Sequence, residues 1–291
     1  MGTWGTSLYE DDEAGDLKTT IALLCKVPAD GDRLLEYLEQ TYGNCDPATE
    51  EGALFWLVAA DQFERKGVEC KRVATMALSI IANGSDLANA RDRGADEAFL
   101  KKRTLVLDEL AQRLKSPRKI RARVRPGKAP DLVLEAGEVY AFPTMRGYGW
   151  QPYRLPTEGP FAPDGWGALI VFATGRAFDW LPWVALASLT VNPQRKPTLN
   201  DALKACLMLH KYLYSDGAGP FIPKRAHARG MGLELLGGVQ LNPRLVTPKL
   251  SKCSVAKAMQ RNWPITCAAL NSTAAEAMIG CELSSLLKAA G

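Results

Sequence analysis

The spacing of apolar positions divides the chain into two stretches of different rhythm. Through residues 11–114, apolar side chains recur every three or four positions, the period of a helix with one buried face. Asp11 or Asp12 can cap a first helix carrying Leu17, Ile21, Leu24 and Cys25 on one side. Leu34, Leu35 and Leu38 define a second, ended near Gly43. Thr49-Glu50-Glu51 opens a third, with Leu54, Phe55, Leu57, Val58 and Phe63 apolar. Val73, Met76, Ala77, Ile80 and Ile81 make a fourth, stopped at Asn83-Gly84. Leu100, Leu105, Leu107, Leu110 and Leu114 make a fifth. Five amphipathic helices with short links predict a bundle, with Trp56 and Phe63 as packing residues.

From Asp131 the rhythm shortens. Leu132–Leu134, Glu138–Pro143, Trp150–Leu155 and Ala168–Thr174 read as strands between glycine and proline punctuation, and Phe178–Leu189 can supply another. Gly147-Tyr148-Gly149-Trp150 lies between two of these runs and reads as a hairpin. Asn192–Pro197 reads as a hinge. In the tail, Leu199–Leu213, Val255–Met259 and Thr273–Lys288 read as helices and Met231–Leu241 as a strand. The expected fold class is α+β: an N-terminal helical bundle, then a small, strongly twisted or barrel-like β-sheet domain with C-terminal helices. The expected boundaries are an acidic helical domain at 1–115, a basic linker at 116–130 and an α+β domain at 131–291.

Charge sharpens this division. Residues 1–114 hold 21 acids and 13 bases, and residues 115–291 hold 11 acids and 23 bases. Two domains of opposite sign can attract each other or present separate faces to partners. Lys115 to Lys128 carries seven cations around prolines with no acid. Nucleic acid is a possible partner there but not the favoured one, because no aromatics interleave the cations for base stacking. No apolar run is long enough for a membrane span, and no basic-then-apolar leader opens the chain. The seven cysteines are scattered and form no CxxC pair, which fits reduced thiols and a cytoplasmic location.

Candidate chemistry is sparse. The chain has two histidines, His210 and His227. Cys206 and His210 can share a helix face, but two ligands make no metal site alone. No nucleophile elbow, phosphate loop or dinucleotide fingerprint is present. The acids from Glu10 to Asp16 lack the alternating spacing of a calcium loop and suit a helix start. No catalytic residue, cofactor or metal is expected. Eight aromatics crowd positions 150–183, four of them tryptophan. That density suits a protein interface or a ligand cleft, and a small sheet also needs aromatics in its core. The candidate partner-binding residues are Arg146, Tyr148, Trp150, Tyr153, Arg154, Trp166, Arg176, Trp180 and Trp183.

The opening Met1-Gly2-Thr3-Trp4-Gly5-Thr6 with Asp11-Asp12 and Ala14, then Glu51-Gly52-Ala53-Leu54-Phe55-Trp56-Leu57-Val58-Ala59-Ala60 and Lys101-Lys102-Arg103, resembles a bacterial family catalogued as domain of unknown function 4259. The resemblance covers about residues 1–118. Gly137-Glu138-Val139-Tyr140-Ala141-Phe142-Pro143, Gly149-Trp150 and the strand Ala168–Phe172 are similar to immunity protein 26 of bacterial polymorphic-toxin systems. Some members of that family carry a phosphotriesterase label, but this chain lacks the histidine and carboxylate cluster such an enzyme needs. The resemblance implies a toxin-neutralising protein that binds a cognate toxin or effector protein stoichiometrically. Neither family supplies a catalytic motif to carry over.

Overall fold

The computed structural model describes residues 5–10, 12–43, 45–116, 128–150, 157, 159–210, 219–221, 225–247 and 277–288. The chain forms two compact units, Met1–Lys128 and Ala129–Gly291.

The first unit is a bundle of α1 (Asp12–Leu24), α2 (Gly31–Tyr42), α3 (Glu50–Lys66), α4 (Lys71–Asn83), α5 (Ser85–Asp92) and α6 (Glu97–Lys115). Asp30, Thr49 and Asp96 cap α2, α3 and α6 by accepting from the backbone N–H groups of Arg33, Gly52 and Phe99. The bundle has one helix more than the apolar rhythm predicts. Helix α5 buries only Ala90, so it carries no stripe for periodicity to register. Gly84, at φ 72°, ends α4 and precedes α5, so the two helices meet at a corner.

Helix α3 is the spine of the bundle. Phe55 through Glu64 are all buried, on every side of the helix. Its first turn sits so close to the preceding loop that a Cβ on Gly52 would lie 1.8 Å from the Asp46 carbonyl oxygen. Trp56 donates its indole N–H to the Cys45 carbonyl at 2.8 Å, which satisfies the ring's one polar atom inside the core.

The second unit is built on an open sheet of β1 (Glu138–Met145), β2 (Tyr148–Gly149), β3 (Gly165–Ala177), β4 (Leu181–Leu189), β5 (Cys206–His210), β6 (Gly219–Phe221), β7 (Glu234–Gly238) and β8 (Ala277–Glu282). The order is β2-β1-β3-β4-β5-β8, with β7 beside β1 and β6 beside β4. The pairings are all antiparallel. The central strands alternate between two cores. Val139, Ala168, Ile170, Ala185, Ala187 and Leu189 pack on one side with Leu207, Val246 and Leu283. Phe142, Leu169, Val171, Val184 and Leu186 pack on the other with Leu134 and Met231. A sheet buried on both faces is a rigid mount for whatever its turns carry.

Helices α7 (Leu199–Lys204), α8 (Arg225–Gly230) and α9 (Pro243–Val246) and a 3-10 turn at Leu283–Leu286 complete the described residues. None of the described helices is long and apolar enough to cross a membrane.

Several expectations for this unit are corrected. Leu132–Leu134 is a bend, not a strand, because Leu134 fills a core without backbone pairing. Leu199–Leu213 is not one helix. It stops at Lys204, and Cys206–His210 is β5, held between β4 and β8 with Leu207 fully buried. The described end of Thr273–Lys288 is β8 and the 3-10 turn. Leu, Met and Ala runs have good helix propensity, but sheet pairing overrides it here. Trp150 lies past the end of β2. The rest of Trp150–Leu155, the Val255–Met259 helix and most of the basic linker, residues 117–127, lie outside the described residues.

Candidate functional site

Two hairpin ends carry most of the candidate residues, and they lie at opposite ends of β3. Arg146-Gly147 joins β1 to β2, with Met145 facing Tyr148. Both turn residues have positive φ, 54° and 82°, the pattern of a type I′ hairpin with glycine at its second position. The Arg146 backbone N–H donates to the Asp164 carboxylate at 2.8 and 3.0 Å, which pins the turn to the start of β3. Tyr148 is exposed. Trp166, across from Pro143, holds the Lys196 ammonium 5.3 Å from its ring centroid, and Lys196 also pairs with Glu234.

At the other end, β3 and β4 are joined through Phe178-Asp179-Trp180. The Trp180 N–H donates to the Ala177 carbonyl at 3.0 Å. Arg176 braces this tip by donating to the carbonyls of Pro130 and Trp180. Trp183 faces Gly175, where a Cβ would stand 2.6 Å from the indole, so the ring lies flat across β3. Trp166 and Arg176 are ten positions apart on one strand, roughly 33 Å at the rise of extended chain. The aromatics therefore form two groups rather than one patch.

Trp150 belongs to neither hairpin tip. It is half-buried against the core around Phe142 and Met231, and its indole fills the space where a Cβ on Gly230 would stand. Tyr153 and Arg154 lie outside the described residues. His227 lies on α8. Cys206 and His210 lie at the two ends of β5, so four extended residues separate them by about 13 Å rather than one helical turn. No group of three or more His, Cys, Asp or Glu placed to hold a metal occurs among the described residues.

The sequence reading missed a buried charged network in the helical unit. Asp61 accepts from the Tyr9 hydroxyl and from the guanidinium groups of Arg65 and Arg113, and Arg113 also reaches Glu64 at 2.7 Å. Burial alone would raise the Asp61 carboxyl, but the hydrogen bonds from Tyr9, Arg113 and Arg65 outweigh it and hold the group below the usual carboxylate range. A second network lies on α6. Arg103 grips both carboxylate oxygens of Asp86 at 2.8 and 2.9 Å and donates to the carbonyls of Ser7 at 3.0 Å and Thr6 at 3.4 Å. Tyr9 and Arg103 together strap residues 6–9 onto the bundle. The available signal was three polar residues, Asp61, Gln62 and Glu64, interrupting an apolar helix.

Near the end of α3 a recess of about 180 Å³ is lined by Ala60, Phe63, Val68, Cys70, Val73 and Leu114. The Cys70 thiol donates to Asp32 at 3.2 Å, and burial pushes it up to about 11, so it stays protonated at neutral pH.

Comparison with family models, with curated proteins and with solved structures gives no match to this chain.

Proposed function

We propose that the chain is a toxin-neutralising, immunity-type binding protein of a bacterial polymorphic toxin or secretion system, acting in the cytoplasm by stoichiometric protein–protein binding. The observation that carries this reading is the mounting of the hairpin ends. Arg146 and Tyr148, exposed at one end, and Trp180, half-buried at the other, sit on turns of a sheet packed on both faces, with Arg176 and Trp183 bracing the second turn. Side chains held this way lose little freedom on binding, which favours tight association. The sequence resemblance to an immunity family points the same way.

A sheet curled towards a barrel is part of this reading. Its support is the contact of Leu241, after β7, with Leu287, after β8, which brings the continuations of two outer strands together.

The test is co-expression with whatever toxin genes neighbour its own. Protection of the host and a one-to-one complex on size-exclusion chromatography are the expected results. Absence of both overturns the proposal.

A further inference from the structure

We propose that Phe178-Asp179-Trp180 is the docking point, an acidic wedge that enters a cationic cleft on the partner protein; this rests on the immunity-type reading. Phe178 and Asp179 hold φ of 51° and 56°, a region that aspartate enters readily but that is unusual for a side chain as bulky as phenylalanine. The β1–β2 turn meets the same demand with Gly147 at its second position. The β3–β4 turn keeps side chains at both positions. Backbone strain of this kind persists where the surroundings over-determine it, and here they do. Arg176 clamps the turn, β3 and β4 pair up to Ala177 and Leu181, and both strands are packed on two sides.

Charge selects the partner. Residues 115–291 carry twelve more bases than acids, yet the side chain exposed at this tip is Asp179. The neighbouring cation, Arg176, is directed at backbone carbonyls rather than at solvent. Asp131, which follows the Pro130 that Arg176 holds, already pairs with Arg225 at 3.6 Å. An acid between half-buried aromatics pairs well with a basic, partly apolar cleft, and would be left unpaired against an acidic surface.

The experiment is calorimetric titration of the full chain with the toxin domain that the co-expression test identifies. Asp179→Lys and Trp180→Ala should each weaken a wild-type complex by at least about 30-fold. The association rate should fall with salt for the wild type and less steeply for Asp179→Asn. The variant Asp179→Gly, which leaves Phe178 in place and suits the same backbone region, should keep the wild-type unfolding temperature while losing affinity, which separates binding from misfolding. A wild-type complex that all these variants form equally well overturns the wedge and leaves the binding function standing. A wild type that forms no complex overturns both.

Discussion

Replacing Arg113 by methionine tests whether the buried network carries the helical unit. Arg113 is the cation shared by two carboxylates whose side chains are only 1% and 2% exposed, Asp61 and Glu64. Methionine keeps the apolar stem and deletes the charge. Asp61 retains Arg65 and Tyr9, whereas Glu64 loses its Arg113 ion pair. Breaking a buried pair costs about 3–5 kcal/mol, and the lower end applies because Arg113 itself is 28% exposed and water can enter. For a unit of this size, about 3 kcal/mol lowers the unfolding midpoint by roughly 12 °C. The helical circular-dichroism band is the assay, since the long helices among the described residues all lie in this unit. Adding Asp61→Asn and Glu64→Gln to Arg113→Met should recover at least about half of the loss, because neutral amides need no cation. A drop of under about 3 °C for Arg113→Met, or no recovery in the triple variant, refutes the reasoning.

Two further outcomes follow from the same chemistry. Because the folded Asp61 carboxyl lies below its unfolded value, its contribution is fully present above the unfolded pKa and is lost as pH falls through the folded one. Acid titration of the unfolding midpoint should therefore show a shallower low-pH decline in Asp61→Asn than in wild type; parallel curves would count against it. Burial pushes the thiols of Cys45 and Cys70 up to about 11, so alkylation mapped by mass spectrometry should label exposed Cys281 first, half-buried Cys45 more slowly and buried Cys70 only on unfolding. Equal labelling of all three in the folded protein would contradict the burial seen for them.

Where one side of an element faces the core, the sequence announced it. Leu34, Leu35 and Leu38 marked α2, and Thr49 and Asn83-Gly84 marked helix ends, because a stripe and a cap are local signals. The hairpin at Arg146-Gly147 was legible for the same reason. Helix α5 was not, since burying only Ala90 leaves it no apolar stripe, and strands β5 and β8 were not, since they pair with each other from distant parts of the chain and their own composition is ambiguous. The candidate site was legible as a list of aromatics but not as an arrangement. Only the register of β3 shows that Trp166 and Arg176 stand at opposite ends, and only the core contacts show that Trp150 turns inward. Arg103 carried part of a family resemblance in the sequence; in space it holds the backbone of Thr6, which carried another part.

That strap bears on how the protein is made. The carbonyls of Thr6 and Ser7 find their donor in Arg103, about a hundred positions later, and Tyr9 shares its carboxylate with Arg113. On the ribosome the Thr6–Tyr9 segment must wait until α6 has cleared the exit tunnel before it can dock fully. The helical unit closes with its beginning, so a pause or truncation before α6 leaves Asp61 buried without Arg113 and the nascent chain open to proteases.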